Sequence, residues 1–160
     1  MLILAIDPGY ERLGIAVLQK EPRGKEDVLF SCCITTPRTL PHEKRLCIIG
    51  EEIARIIKKW KPEAAAIETL FFTTNQKTVM AVSEARGVML YKAAEAGLRV
   101  FEYTPLQIKI AVTGYGRSDK RQVTEMVKRL VVLDARKRLD DEYDAIAVGL
   151  TCLASEHLGR

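Results

Sequence analysis

The sequence predicts an α/β domain in which helices cover a mixed β-sheet. Three observations support this fold class: short apolar runs separated by turn residues open the chain, a helical period follows them, and apolar runs then alternate with helical patterns. Antiparallel strands followed by strand–helix alternation are typical of a mixed sheet with helices on its faces. A chain of 160 residues is long enough for one domain with a buried core.

The first part of the chain supplies three strands and a helix. The predicted strands are Leu2–Ile6, Gly14–Leu18 and Val28–Thr35, separated by turns at Asp7-Pro8-Gly9 and at residues 21–27. Between Glu43 and Trp60 the apolar residues recur every three or four positions, and Pro62 follows. That period predicts an amphipathic helix.

The second part of the chain alternates between strands and helices. The predicted elements are a buried strand Ala64–Ile67, a helix from Asn75 to Ala96 that Gly97 ends, a strand Val100–Tyr103, a short helix carrying Ile108 and Val112, a helix capped by Ser118, and a last helix from about Asp141 to His157. Residues 113–117 are predicted to form a flexible loop. No repeat or low-complexity tract interrupts this order, which predicts one domain over residues 1–160.

The composition is that of an ordinary globular protein, with 48% hydrophobic and 29% charged residues. No apolar run approaches the roughly 18 residues of a transmembrane helix, so we expect no membrane span. The first residues lack a basic region and a cleavage site and predict a strand instead of a signal peptide. The four cysteines form no CxxC pair, so we expect reduced thiols and a cytoplasmic location.

The net charge of +4 is unevenly distributed. Residues 109–138 contain nine basic and three acidic side chains, a local charge of +6, so the remainder of the chain carries −2. A basic segment beside a neutral-to-acidic remainder is typical of a protein with a polyanionic partner. A solvated basic face explains the same charge equally well, so charge alone leaves both interpretations open.

Two acidic residues directly follow predicted strands: Asp7 after the first and Glu68 after the fourth. If these strands are parallel neighbours, the two carboxylates lie about 5 Å apart. Like charges at that distance raise each other's pKa unless a cation lies between them. Asp7 alone is equally well explained as a turn residue, but the pair indicates a metal site. We expect Gly9 and Gly14 to leave the nearby backbone bare for an approaching anion.

Two further acids, Asp141 and Asp144, have the i, i+3 spacing that places them on one face of the last helix. Acids in a first turn also interact favourably with the helix dipole, which suffices to explain Asp140 as a helix cap. The apolar stretch after Asp144 predicts a helix packed on most sides, so Asp144 is expected to face a ligand.

Four carboxylates without a His or Cys cluster favour Mg²⁺ or Mn²⁺ over Zn²⁺. Two such ions, roughly 4 Å apart, can activate a water molecule and stabilise the departing oxygen of a phosphodiester. The residues therefore predict a metal-dependent nuclease with Asp7, Glu68, Asp141 and Asp144 as its catalytic, metal-binding residues.

Short motifs in a fixed order cover almost the whole chain. They are Ile6-Asp7-Pro8-Gly9 with Gly14, Ala66-Ile67-Glu68 with Phe71 and Asn75, Glu84-Ala85-Arg86-Gly87-Val88, Phe101-Glu102-Tyr103, Gln107-Ile108-Lys109, Gly114-Tyr115-Gly116, Lys120-Arg121-Gln122-Val123 and Asp141-Glu142-Tyr143-Asp144-Ala145. This set resembles the RuvC family of Holliday junction resolvases, in the ribonuclease H-like superfamily. The resemblance implies a ribonuclease H-like five-stranded mixed sheet flanked by helices, in a single RuvC-like nuclease domain.

The resemblance also implies roles for individual residues. The acids Asp7, Glu68, Asp141 and Asp144 match the family's metal-binding catalytic residues, and the predicted DNA-binding residues are Phe71, Arg86, Lys109, Arg117 and Lys120. Lys109 and Lys120 match basic residues near the scissile phosphate. Phe71 matches an aromatic that engages junction bases, although the neighbouring Phe72 fits stacking as well. For Arg86 the sequence leaves both a phosphate contact and a salt bridge open. Some relatives carry His at the position of Asp141, so the all-carboxylate version is expected here.

The cofactor and partners are implied in the same way. The resemblance implies two Mg²⁺ ions per active site, with Mn²⁺ able to substitute, and four-way junction DNA as substrate in recombination and repair. It implies a homodimer that makes paired symmetric nicks and works with a branch-migration motor complex of the RuvA and RuvB type. The predicted helix from Asn75 to Ala96 carries more apolar surface than one core contact needs. We therefore expect the dimer interface there.

Three other classes of protein share features with this sequence. An actin-like or sugar-kinase ATPase needs two lobes and a second Asp-x-Gly, which this chain lacks. A nuclease of the same superfamily that acts on RNA or an RNA–DNA hybrid would share the carboxylate chemistry, and only the ordered motifs argue against it. A catalytically dead nucleic-acid-binding module is disfavoured because all four acids are present.

Overall fold

The computed structural model describes residues 1–21, 24–69 and 76–156, apart from the side chains of residues 76–78. In chain order, the elements are β1 (Leu2–Asp7), β2 (Arg12–Lys20), β3 (Glu26–Thr35), α1 (His42–Trp60), β4 (Ala64–Glu68), α2 (Gln76–Glu95), β5 (Arg99–Tyr103), α3 (Pro105–Thr113), α4 (Lys120–Leu130) and α5 (Asp140–Ser155). Across these ranges, no helix is both long and apolar enough to cross a bilayer. All four cysteines are free, in agreement with the expected thiols.

The five strands form one mixed sheet in the order β3-β2-β1-β4-β5. Strand β1 is antiparallel to β2 and parallel to β4, and β4 is parallel to β5. The predicted five-stranded mixed sheet flanked by helices is therefore confirmed. Because parallel strands end at the same edge of a sheet, the residues that follow β1, β4 and β5 lie side by side there.

Two apolar clusters fill the space between the sheet and its helices. Helix α5 packs with α3 and α4 on one face, and α1 and α2 cover the other. Alternate residues of β1 point into the two clusters, Ile3 toward α5 and Leu4 toward α1, as the period of a strand requires. Gly149 lets α5 lie close to the sheet, since a Cβ there would be 2.3 Å from Cδ1 of Leu18 and 3.1 Å from Cβ of Ala5.

The cap of α4 differs from the prediction. The side chain of Asp119, not Ser118, accepts a hydrogen bond from the Gln122 backbone N–H at 2.8 Å, and the Gln122 side chain accepts one from the Asp119 N–H at 2.9 Å. This reciprocal pair is a capping box. Ser118 is buried, and its hydroxyl lies 2.7 Å from the hydroxyl of Thr113. The predicted Ser118 cap is wrong because the capping box makes Asp119 the better cap.

Hydrogen bonds of Thr113 connect the loop at residues 113–117 to the end of α3. The Thr113 hydroxyl donates to the Lys109 carbonyl at 2.7 Å and accepts from the Tyr115 N–H at 3.1 Å. Gly114 ends α3 with a φ of 75°, a conformation that favours glycine. The loop is therefore a defined connection between α3 and α4.

The last helix begins one residue earlier than predicted and ends two residues earlier, at Ser155. Leu139 occupies its N-cap position, so Asp140 lies inside the first turn and is not the cap. Asn75, predicted to cap α2, and His157 lie outside the described residues. Gly97 adopts a φ of 73° two residues after the end of α2, as its predicted role in ending that helix requires.

Candidate active site

The structure brings the four predicted acids to one edge of the sheet. Asp7 ends β1 and Glu68 ends β4, and the parallel pairing of Ile6 with Ile67 places the two acids next to each other. Helix α5 carries Asp141 and Asp144 in its first two turns and packs over β1 and β2. The acids that the sequence singled out therefore form one cluster.

Gly14 is the residue that allows α5 to reach this edge. It pairs with Asp7 across the β1–β2 ladder, and a Cβ on Gly14 would lie 2.0 Å from the carbonyl oxygen of Asp141 and 3.2 Å from Cβ of Asp7. A Cβ on Gly9 would likewise lie 1.7 Å from the carbonyl oxygen of Arg12. The expectation that these glycines leave room for an anion is wrong, because the chain's own backbone fills the space.

Burial and mutual repulsion perturb the ionisation of the acids. Burial raises the pKa of Asp7 well above its usual range, and the charges of Glu68, Asp144 and Asp141 raise it further. Burial also raises the pKa of Glu68 and of Asp144, although a hydrogen bond from Asp7 opposes the first shift and Lys120 opposes the second. The charged form of three of the four acids is thus destabilised, and a bound cation would compensate this effect.

Two basic side chains of the protein pair with the acids of α5. The Lys120 ammonium lies 2.8 Å from Oδ2 of Asp144, and the Arg12 guanidinium donates to Oδ2 of Asp141. Asp7 and Glu68 act on each other, and the charge of Glu68 raises the pKa of Asp7. In this arrangement no three His, Cys, Asp or Glu side chains of the described ranges converge closely enough to enclose a metal ion.

The chemistry of these residues nevertheless fits a divalent cation. Carboxylate oxygens are the ligands that Mg²⁺ prefers, and a group of acids with mutually raised pKa values gains most from a bound cation. Asp141 and Asp144 would have to exchange their contacts with Arg12 and Lys120 for the metal. Asp7, Glu68, Asp141 and Asp144 are therefore the residues that could hold it.

A cavity of about 220 Å³ opens beside the acids. Glu68, Asp144, Lys109 and Lys120 line its polar side, and Pro105, Ile108, Val123 and Ala147 line its apolar side. The two lysines that the sequence placed near a phosphate thus face the same space as two of the acids. A phosphate in this cavity would lie beside the positive charges of the two lysines and beside the carboxylates that could hold a cation.

The other predicted DNA-binding residues occupy different environments. Arg86 forms an ion pair with Glu102, and its Nε–H donates to the Glu68 carbonyl at 3.4 Å, so the structure shows the salt bridge that the sequence left open. Arg117 is exposed in the turn between α3 and α4. Phe71 lies outside the described residues, as does Phe72.

Glu142 is a buried charge that the sequence analysis did not single out. Only 4% of the residue is exposed, and its carboxylate accepts from Arg136 at 2.7 Å and from the Ser31 hydroxyl at 2.8 Å. Burial alone would raise the pKa of Glu142, but these hydrogen bonds outweigh it and lower the pKa. The Leu139 N–H also donates to this side chain at 3.1 Å. Glu142 thereby ties the start of α5 to β3.

No sequence signal identifies Arg12 or the partners of Glu142. Arg12 and Asp141 are 129 positions apart, and Ser31 and Glu142 are 111 apart, so only the folded chain brings them together. The cap of α4 is different, because the Asp119-x-x-Gln122 spacing of a capping box is visible in the sequence.

Comparisons with known proteins agree with this geometry. The family model described as crossover junction endodeoxyribonuclease RuvC matches residues 3–152. Proteins of that name from Thermosipho melanesiensis and Alkaliphilus oremlandii are 47% and 46% identical, covering 98% and 94% of this chain and 98% and 91% of their own. The structure of Thermus thermophilus RuvC in complex with a Holliday junction substrate superposes with a TM-score of 0.89 at 31% identity, covering 96% of this chain and 93% of that one.

These findings confirm the predicted family, the ribonuclease H-like fold and the nuclease class. The alternative, a nuclease acting on RNA or an RNA–DNA hybrid, is not favoured, because the matching relatives are named as junction endodeoxyribonucleases. The chain belongs to the RuvC family of crossover junction endodeoxyribonucleases.

Proposed function

We propose that this chain resolves four-way DNA junctions by hydrolysing one phosphodiester bond in each of two symmetry-related strands, in homologous recombination and DNA repair. One observation carries the proposal: acids from β1, β4 and α5 meet at one sheet edge, beside a cavity that two lysines line. A phosphodiester needs both ligands for a cation and positive charge near its oxygens, and this edge supplies the two together. Residues 1–160 act as one nuclease domain, in the cytoplasm.

Nucleases of this family are metal-dependent, and we propose Mg²⁺ as the metal, with Mn²⁺ able to substitute. Asp7, Glu68, Asp141 and Asp144 would hold two ions. When bound, the ions supply Lewis-acid chemistry, which lowers the pKa of an attacking water and neutralises the charge that develops on the departing oxygen. The carboxylates offer only oxygen ligands, which suit hard cations.

The lysines and Arg86 have separate roles in this proposal. Lys109 and Lys120 face the cavity and neutralise the phosphate that enters it. Arg86 holds the end of β4 through its hydrogen bond to the Glu68 carbonyl, so it positions Glu68 while its ion pair with Glu102 anchors the guanidinium. Arg117 is exposed near the cavity helices and contacts the DNA backbone, and Phe71 stacks on a junction base.

We propose that the active form is a homodimer, since a two-fold protein matches the symmetry of two equivalent strands. Helix α2 supplies the interface. Met89 of this helix is buried in the core, but Met80 and Tyr91 are 65% and 61% exposed. Their spacing of eleven residues, with Gly87 between them, places all three on one helix face. The dimer works with a branch-migration motor complex of the RuvA and RuvB type.

A cleavage assay with Mg²⁺ tests the substrate. A synthetic four-way junction is compared with a linear duplex, an RNA–DNA hybrid and single strands, with each strand labelled in turn and resolved on a denaturing gel. We expect paired nicks at symmetric positions in the junction alone. Preferential cutting of the hybrid, or equal cutting of junction and duplex, would contradict the proposal.

A further inference from the structure

The four acids of the active site have two different kinds of neighbour. Asp7 and Glu68 lie next to each other at the ends of β1 and β4, whereas Asp141 and Asp144 each pair with a basic side chain of the protein. Lys120, the partner of Asp144, also lines the cavity in which we place the phosphate. Arg12, the partner of Asp141, has the same relation to its acid but no role in the function proposed above.

Arg12 lies at the edge of the sheet where the acids meet. It is the first residue of β2, which runs antiparallel to β1, so it lies at the edge where β1 ends in Asp7. Its guanidinium reaches Oδ2 of Asp141, while 49% of the side chain stays exposed. The Cys33 thiol also faces this oxygen, at 3.8 Å, but it brings no positive charge. Arg12 is therefore the counter-ion of Asp141 among the described residues.

The oxygen that Arg12 occupies is one that a divalent cation would need. A carboxylate oxygen that accepts a charge-assisted hydrogen bond from arginine has less electron density to offer a metal, so the two compete. The guanidinium of the pair is half-exposed and Asp141 is 20% exposed, so the guanidinium is easily exchanged, since ion pairs in solvent contribute little free energy. A released guanidinium at the edge where the acids meet is then free to donate two hydrogen bonds to a phosphate.

We propose that Arg12 is a further phosphate-binding residue of the active site, which pairs with Asp141 until a divalent cation displaces it and then contacts the DNA backbone beside the scissile bond. The inference rests on the proposed function, because it requires a cation at Asp141 and a phosphate in the cavity. Its consequence is that the binding of metal and the binding of DNA reinforce each other. The residue acts by exchanging one partner for another and forms no covalent bond.

The competition is tested by titrating Mn²⁺ into the protein without DNA, in a calorimeter. Arg12→Gln removes the competitor, so we expect it to bind Mn²⁺ about twofold to fivefold more tightly than the wild type. Arg38→Gln is the matched control. It removes the same charge from a guanidinium that pairs with Glu11 at 2.5 Å and is 80% exposed, so its Mn²⁺ affinity should stay close to the wild-type value.

The exchange is tested by measuring the affinity for a four-way junction with Ca²⁺ and with EDTA, after a gel has shown that the junction stays uncut. The ratio of the two affinities cancels the general effect of losing one positive charge, because that loss acts in both conditions. We expect this ratio to fall about threefold to tenfold in Arg12→Gln, because the loss of one charge-assisted hydrogen bond to a phosphate weakens binding by about this factor. Arg38→Gln should keep the wild-type ratio.

Either of two results overturns the proposal: Arg12→Gln binds Mn²⁺ no more tightly than Arg38→Gln, or it keeps the wild-type ratio of junction affinities. If the wild type binds Mn²⁺ and cuts junctions while one of these results holds, only the role of Arg12 is wrong. If the wild type neither binds Mn²⁺ nor distinguishes a junction from a duplex, the proposed function falls and the role of Arg12 falls with it.

Discussion

The ammonium of Lys120 lies 2.8 Å from Oδ2 of Asp144, and both residues line the cavity beside the acids. Lys120 is the first residue of α4 and directly follows the N-cap Asp119, so the capping box sets the direction in which α4 enters this space. Asp144 stands one turn into α5. One ion pair therefore joins α4, which supplies the lysine, to α5, which supplies the acid.

Lys120→Gln should lower the rate of junction nicking by about 10²- to 10³-fold, because a preorganised positive charge near the reacting phosphate is lost. Single-turnover cleavage with Mg²⁺ measures this rate. Lys128→Gln is the control, since Lys128 lies on the same helix, pairs with Glu125 at 2.8 Å and does not line the cavity. An equal loss in both variants would mean that general charge, and not the position of Lys120, supports cleavage.

Gly14→Ala should displace Asp141, because the new Cβ would lie 2.0 Å from its carbonyl oxygen. We expect a loss of roughly 1–3 kcal/mol in the free energy of unfolding, as for other overpacked sites, together with slower cleavage by the folded enzyme. Urea unfolding and single-turnover cleavage measure the two effects.

Gly149→Ala is the matched comparison. The new Cβ would clash with the side chains of Leu18 and Ala5, at a position eight residues after Asp141 in α5. We therefore expect lower stability, while the folded enzyme cuts near the wild-type rate. If Gly14→Ala cut as fast as Gly149→Ala at equal folded concentration, the close contact between Gly14 and Asp141 would not matter for the site.

Glu142→Gln should lower the free energy of unfolding by about 1–2 kcal/mol, because the amide cannot replace the charge-assisted hydrogen bonds from Arg136 and Ser31. This loss in the free energy of unfolding is smaller than that expected for a fully buried ion pair, because Arg136 is part-exposed. Glu125→Gln makes the same change at an exposed acid that pairs with the exposed Lys128 at 2.8 Å, so its free energy of unfolding should stay close to the wild-type value. Equal losses would show that Glu142 does not anchor α5.

Met80→Lys should weaken the proposed dimer, because it buries a charge in the α2 interface. Analytical ultracentrifugation at micromolar concentration, with and without junction DNA, measures the association state. Val132→Lys changes another exposed apolar residue away from α2 and should leave association unchanged. A wild type that stays monomeric in both conditions would contradict the homodimer.

The sequence predicted the order of the elements because each has a period of its own. Alternating and continuous apolar runs marked the strands, and the recurrence of apolar residues between Glu43 and Trp60 marked α1. The acids Asp7 and Glu68 were recognisable because each follows an apolar run, which places it at a strand end. Their adjacency then depends only on the parallel pairing of β1 and β4.

Contacts between distant parts of the chain could not be predicted in this way. The need for glycine at position 14 comes from the backbone of α5, and the carboxylate of Glu142 accepts a hydrogen bond from Ser31, 111 positions away. Such contacts have no period or spacing, because they arise only when the sheet and α5 pack together. Arg12 belongs to the same class, since nothing in its neighbours along the chain indicates that it faces Asp141.

Asp7→Asn tests most directly whether the clustered carboxylates cut the junction. The amide keeps the shape of the side chain but loses the charge that would hold a cation. The variant should therefore still bind the junction but no longer cut it efficiently. Asp140→Asn is the control, because Asp140 is an exposed acid in the first turn of α5 outside the cluster. We predict that Asp7→Asn binds a four-way junction within about threefold of the wild-type affinity and cuts it at least about 10³-fold more slowly, while Asp140→Asn does both normally. Cleavage by Asp7→Asn at the wild-type rate would contradict the account.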